Sequence, residues 1–268
     1  MSWSLYQELL SQIDDWKVTE GAVFPVWSYI KTEDNAGLAM TPPEIPHQTC
    51  LAGKLVGMPL SELACHVMSW DTQEATIATA GVNAFYNNSE RLPSFGDCWV
   101  NTPDAPDTIE WIERMGFEKV AFIGHYPVLD NYQGSCKFTI LEKQPQPGDL
   151  PDMACDFVLP DQDAVFITGA TFPNKTIVHL LDICRSANVF TALWGPTVPL
   201  SPVLFDYGVQ AVFGTVVREP AAARAILEQG SCIMKASDHL QRVLLSNDPY
   251  ARAAMVKPRA EGVTGHLF

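Results

Sequence analysis

Apolar positions recur at helical spacing over residues 4–16, where Leu5, Leu9, Ile13 and Trp16 share one side. The β-branched and aromatic run at 23–30 reads as a strand. The turn Asp34-Asn35-Ala36-Gly37 follows it, and 38–40 reads as the returning partner. Pro42, Pro43 and Pro46 enforce an extended loop. Residues 60–68 predict a helix entered through Pro59. Asp71, with Glu74 three residues on, has the form of a capping box that opens a helix reaching residue 86.

Residues 87–106 are rich in Asn, Ser, Pro and Asp and carry little periodicity, so they read as a crossing between domains. Beyond them, short apolar strands at 120–123, 138–141, 164–168, 189–193 and 211–213 are interspersed with helical patterns at 107–115, 175–185 and 221–229. That alternation predicts right-handed crossovers and a mostly parallel sheet. The expected organisation is α/β: an α+β domain over 1–105, a Rossmann-like domain over 106–246 and an irregular tail over 247–268.

With 268 residues, 47% of them hydrophobic, the chain has material for two cores. Its 31 acidic residues outnumber 17 basic ones for a net charge of −14, and no Lys/Arg cluster exists to displace counterions, which excludes nucleic-acid phosphate as a partner. No apolar run approaches the roughly 20 residues needed to cross a bilayer, so no membrane is expected as a partner. The opening Met1-Ser2-Trp3-Ser4 lacks the basic and apolar regions of a secretory signal, and the cytoplasm is the expected location. Seven scattered cysteines without a C-x-x-C pair form neither a disulfide framework nor a sequence-local zinc site; most read as small buried hydrophobes. An isologous dimer is the commonest assembly for such a protein.

Candidate chemistry gathers at the ends of the expected strands, where an open α/β sheet binds its ligands. Gly124 closes the first strand of the second domain, and Pro127 suits the first turn of a following helix whose free N–H groups would hold an anion. Only one glycine of the dinucleotide fingerprint is present. His125 at this mouth reads as a general acid/base, a metal ligand or a hydrogen-bond donor. Glu142, 18 residues beyond Gly124, has the spacing of an acidic residue that holds a ribose hydroxyl; equally, it caps its own loop. Gly169, Thr171 and Asn174 offer uncharged donors to a polar ligand or else cap the next helix. The loop 195–202, with Gly195, Pro196, Thr197 and Ser201, is stiff and suits a pocket wall. Asn83 faces either this crevice or solvent. His47 and Cys50, and Cys65 beside His66, are the nearest approach to metal-ligand pairs, although adjacent Cys65 and His66 diverge on a helix.

The run Gly124-His125-Tyr126-Pro127, the segment 141–151, Thr168-Gly169-Ala170-Thr171, Asn174-Lys175-Thr176, the loop 195–202 and Phe205-Asp206-Tyr207-Gly208-Val209 resemble, in order, the putative heavy-metal chelation family, a Rossmann-like domain of unknown function numbered 364. The first half, through Gly37-Leu38-Ala39, the run 53–57, the run 60–64 and Val82-Asn83-Ala84, is similar to its usual partner domain, numbered 4213, which has an enolase N-terminal-like fold. The resemblance implies two domains with a cleft between them. It also implies a pterin- or flavin-like heterocycle, or a metal-chelating metabolite or its precursor, as ligand, beside the nucleotide-like molecule that the Glu142 spacing suggests.

Two functions stand against each other. In the first, an enzyme of unassigned reaction holds such a small molecule in the cleft, with His125 transferring a proton, Asn83 reaching in from the first domain and the strand-end loops supplying donors. In the second, the chain is a noncatalytic carrier of a divalent heavy metal or a metallophore.

Overall fold

The computed structural model describes residues 3–43, 48–101, 108–231 and 233–256. Its amino-terminal unit comprises α1 (Ser4–Leu10), β1 (Glu20–Val23), β2 (Trp27–Lys31), β3 (Ala36–Met40), α2 (Leu60–Cys65) and α3 (Thr72–Tyr86). The single strand expected at 23–30 is broken in two. Pro25 has no N–H to give a ladder, and Phe24 N–H closes a turn on Trp27 O at 2.8 Å. The strands β1, β2 and β3 then pair as an antiparallel meander. The helix expected to reach residue 16 stops at Leu10, where the Ser11 hydroxyl turns back to Glu8 O and competes with the helical ladder.

The helix α3 lies across the meander with every residue from Ala75 to Tyr86 buried. Its small residues let β3 approach so closely that a side chain at Gly37 would meet the α3 backbone at Ala80, Asn83 and Ala84. Asp71 caps α3 by accepting from Gln73 and Glu74 N–H. The reciprocal half of the expected capping box is absent. Ser69 Oγ takes the Asp71 N–H, and Glu74 turns to Cys50 N–H and Ser69 Oγ.

The rest of the chain runs through β4 (Trp99–Asn101), α4 (Thr108–Met115), β5 (Lys119–Ile123), β6 (Lys137–Glu142), β7 (Leu150–Pro151), α5 (Cys155–Val158), β8 (Ala164–Thr168) and α6 (Ile177–Ala187). It continues with β9 (Phe190–Trp194), α7 (Val203–Asp206), β10 (Ala211–Val217), α8 (Pro220–Leu227), β11 (Leu240–Ser246) and α9 (Pro249–Val256). Eight strands form one sheet in the order β4-β11-β10-β9-β8-β5-β6-β7. It is parallel from β10 to β7; β11 and β4 close the other edge antiparallel. The protein is thus mixed α/β, with a mostly parallel sheet and a separate amino-terminal sheet and helix region.

Further elements depart from the sequence reading, β4, β11 and α9 among them. The strand β4 comes from the segment expected to be an irregular crossing. The strand β11 was not foreseen, because its hydrogen bonds lie with distant partners. The helix α9 occupies the start of the expected irregular tail: Ala251, Ala254 and Met255 are buried, and Trp111 Nε1 donates to Ala251 O at 2.9 Å. Residues 102–107 and 257–268 lie outside the described residues.

Two consequences position the site. The chain travels β5, β6, β7 toward one edge and returns to travel β8, β9, β10 toward the other, so its direction reverses between β5 and β8, the place where such sheets open a crevice. One apolar core also runs without interruption from Tyr6, Ile30 and Phe85 to Ile123, Ile167, Leu193 and Ile177. The opposite sheet face is filled by Trp111, Phe122, Phe166 and Phe213. Among the described residues, no helix is long and apolar enough to cross a membrane.

The β3–α3 approach separates two glycines. Gly37→Ala presses a methyl group against helix backbone that cannot yield, and should cost at least the roughly 1–3 kcal/mol typical of overpacking. Gly81→Ala meets only the movable Leu63 and Leu60 side chains, at 3.1 and 3.3 Å, and gains helix propensity, so its stability should stay near that of the parent. Urea denaturation of both variants checks the order; equal midpoints would refute it.

Candidate functional site

Gly124 ends β5 with φ of 103°, a left-handed conformation that favours glycine. Its N–H bonds to Leu141 O, and a Cβ there would sit 3.2 Å from the Thr168 side chain, so the ends of β5, β6 and β8 converge on it. The next N–H, that of His125, donates to Glu142 Oε2 at 2.9 Å. Glu142 Oε1 accepts Lys143 and Gln144 N–H at 2.7 and 3.2 Å. Glu142 therefore ties the loops after β5 and β6 together.

The His125 ring lies between two carboxylates. Nδ1 meets Asp149 and Nε2 meets Asp130, each at 2.9 Å. Asp149 is 3% exposed and also accepts Gln146 N–H; Asp130 is 55% exposed. Both ring nitrogens donate only in the imidazolium form. The Asp149 hydrogen bond, reinforced by that of Asp130 and by both negative charges, accordingly raises the His125 pKa against the opposing effect of desolvation. Beside this group Tyr126 and Trp194 stack with ring centroids 4.3 Å apart, and Tyr126 Oη donates to Trp194 O. Gly195 follows at φ of 119°, with open space where a side chain would stand.

The remaining strand-end residues form a second, buried group. Gly169 touches the loop 195–202 so closely that its Cβ would lie 2.7 Å from the Thr197 and Val198 backbone. Thr171 Oγ1 donates to Thr168 O. From the amino-terminal unit, Met40 N–H donates to Thr197 Oγ1 at 2.9 Å. Asn83 Nδ2 donates to Leu38 O and Thr197 O at 2.8 and 2.9 Å. One helical turn on, Asn87 Nδ2 donates to Val198 O, and Asn87 Oδ1 accepts Leu200 N–H at 2.7 Å. Ser201 hydrogen-bonds the Tyr86 hydroxyl. The loop expected to wall a pocket is thus the joint between the two halves, with Thr197 and Ser201 buried and Gly195 and Pro196 partly exposed at its edge. Asn83 Oδ1 is itself buried and has no hydrogen-bond partner among the described residues.

Asn174 stands apart. It is exposed and accepts from Thr176 N–H and Oγ1 ahead of α6. Next to it Lys175 holds φ of 68° and donates to Pro173 O, and burial lowers its ammonium pKa to about 8. Sequence reasoning missed Asp130, Asp149 and Asn87. Asn87 had a usable signal, its i, i+4 spacing from Asn83; Asp149 stood in the run 141–151 with nothing to single it out, and Asp130 had no signal.

Of the cysteines, Cys136, Cys155 and Cys184 are buried, and burial pushes the first and last up to about 11. Cys50 and Cys65 are exposed. Cys65 Sγ turns to Ser61 O, whereas the neighbouring His66 faces Cys50 and Glu74. His47 and Cys232 lie outside the described residues.

Two family descriptions match, both reading putative heavy-metal chelation: DUF4213 over residues 6–86 and DUF364 over residues 107–246. An uncharacterized protein of Methanocaldococcus jannaschii is 30% identical over 236 residues, 82% of this chain and 86% of that protein. A crystal structure of a DUF364 protein of unknown function from Desulfitobacterium hafniense superposes with a TM-score of 0.79 at 31% identity, covering 91% of this chain and 98% of the other. A DUF364 structure from Pyrococcus horikoshii shares the fold with a TM-score of 0.71 at 20% identity, over 90% and 98%.

The joint and the histidine each yield an expectation. Asn87→Ala leaves the Val198 carbonyl and Leu200 N–H buried and unpaired, at about 1–3 kcal/mol for each group, so chemical denaturation should show a large loss of stability. His125 has a folded pKa above its ordinary value of 6.5. Its ion pairs therefore contribute in full below about pH 6.5 and are lost as pH rises through the folded pKa. Melting temperature should fall across that window in the parent relative to His125→Gln; parallel pH profiles would contradict the charged histidine.

Proposed function

The chain belongs in both halves to the putative heavy-metal chelation family, and from that premise we propose that it binds a small polar ligand at the ends of β5, β8 and β9, with His125 as its acid–base group. The observation that carries this reading is the unequal pair of carboxylates on His125. Nearly buried Asp149 fixes Nδ1, while exposed Asp130 occupies Nε2 and can be exchanged. A ligand carboxylate, phosphate or ring heteroatom taking the place of Asp130 meets an oriented N–H donor beside the point where the sheet reverses. Asp149 holds the ring during proton transfer, and once the ligand leaves, solvent restores the proton on Nε2 and Asp130 resumes its place there.

A pterin-, flavin- or nucleotide-like heterocycle suits the surroundings. The partly exposed Tyr126–Trp194 pair offers an aromatic surface and Gly195 leaves space beside it. In this reading Glu142 shapes the loops and Asn83 holds the buried joint beside them through its amide.

Native mass spectrometry of protein purified without chelators, followed by thermal-shift measurements with pterins, flavins and nucleotides, tests the reading. We expect one class to be retained or to stabilise the parent, with the shift lost in His125→Ala while that variant keeps its circular dichroism spectrum. No stabilisation by any class, or the same shift in His125→Ala, would remove the assignment.

A further inference from the structure

Three side chains of different chemistry meet on the amino-terminal unit, away from the strand ends. Cys50 stands exposed in the turn after the proline-rich loop, His66 opens the short 3-10 turn after α2, and Glu74 lies in the first turn of α3. Cys50 Sγ is 4.0 Å from His66 Nδ1, and His66 Nδ1 is 3.8 Å from Glu74 Oε2. One ligand atom from each of the three lies within 4.8 Å of the others. Around a tetrahedral zinc-class ion, bond lengths of about 2.3 Å to sulfur and about 2.0–2.1 Å to nitrogen and oxygen place the donors about 3.3–3.6 Å apart. The two spacings to His66 Nδ1 exceed that by about half an ångström and the sulfur–carboxylate distance is at most 4.8 Å, so side-chain rotations about the imidazole close the set.

The carboxylate is already oriented. Glu74 accepts Cys50 N–H at 2.9 Å through one oxygen and Ser69 Oγ–H at 2.9 Å through the other. It therefore holds the Cys50 turn against α3 and draws thiol and imidazole together, as a positioning contact does in a metal site. These bonds leave lone pairs on each carboxylate oxygen. The same turn and helix border a cavity of about 150 Å³ between Thr49, Leu51, Gln73 and Ile77.

We propose that Cys50, His66 and Glu74 form a binding site for a thiophilic divalent cation of the zinc and cadmium class, independent of the strand-end site at His125. Sulfur, imidazole and one carboxylate select such ions over magnesium or calcium. Binding displaces the thiol proton to solvent as the thiolate–metal bond forms. Three protein donors leave a fourth position for water or an incoming donor, which makes the ion exchangeable.

Cobalt(II) titrated into the reduced, metal-free full chain tests the site, because a thiolate–cobalt bond gives a near-ultraviolet charge-transfer band. One equivalent should produce the band in the parent and in Cys65→Ser, whose thiol is the other exposed one among the described residues. Cys50→Ser should lose the band, and His66→Ala should weaken cadmium competition by more than the roughly 10–100-fold that outer-sphere changes cost. His125→Ala should leave the band unchanged, which separates this site from the strand-end reading. No band in the parent, or an undiminished one in Cys50→Ser, would overturn the proposal. Because Cys50 is exposed, its serine variant keeps the fold, and an unchanged circular dichroism spectrum confirms that a lost band reports the ligand.

Discussion

Two buried asparagines, Asn83 on α3 and Asn87 at its carboxyl-terminal cap, tie the polar joint between the two halves. A loop with three prolines in eight residues lacks three backbone donors and pairs only Val198 and Ser201 N–H within itself, and its middle, residues 197–201, is buried where water cannot satisfy the rest. Asn83 and Asn87, one turn apart on the same helix face, take over that role for Thr197, Val198 and Leu200. Because an unpaired buried amide or carbonyl costs far more than a satisfied one returns, the arrangement tolerates little sliding. It fixes the amino-terminal unit over the ends of β8 and β9, and leaves the ends of β5 and β6 beside it for His125.

The acidic chain makes the charge on His125 meaningful. With a net charge of −14, the protein repels anions at long range, and an anionic ligand needs a local cation to offset that field. Neither a lysine cluster nor a glycine-rich loop supplies one at the point where the sheet reverses. In the proposed reading the His125 ring, whose pKa the Asp149 hydrogen bond raises, supplies it, and its second partner is the one exposed enough to give way. The same geometry explains why Glu142, at the spacing of a ribose-binding acid, spends its lone pairs on three backbone N–H groups instead. Spacing along a chain does not reveal which donors lie closer.

What the sequence revealed follows from the range of the interactions involved. Strands β5, β6, β8 and β9 and helices α3, α6 and α8 were legible because their apolar runs and caps are local signals. The strand β11 and the helix α9 were not: β11 is defined by β10 and β4, and α9 by the Trp111 face it covers. The site behaved likewise. The loops were readable from their glycines and prolines, and the resemblance they carried led to the family. Asp130 and Asp149, 5 and 24 residues from His125, lie in polar turns that resemble any other, and only folding brings them to the ring. The sequence reading made the loop 195–202 a pocket wall because stiffness suits either a wall or a joint, and burial alone decides between them.

The helix α3 belongs to both ends of this argument. Glu74 in its first turn gathers Cys50 and His66, and Asn83, nine residues later, clasps the second half; at 1.5 Å per residue the two lie about 13 Å apart on one rigid rod. Between them the helix is packed on all sides, with Gly37 of β3 pressed to its backbone. Such a rod transmits a change of tilt and absorbs little of it. The amino-terminal region therefore does more than cover the sheet: the helix that carries Glu74 of the proposed cation site also carries the Asn83 amide bonded to Thr197 O of the other half.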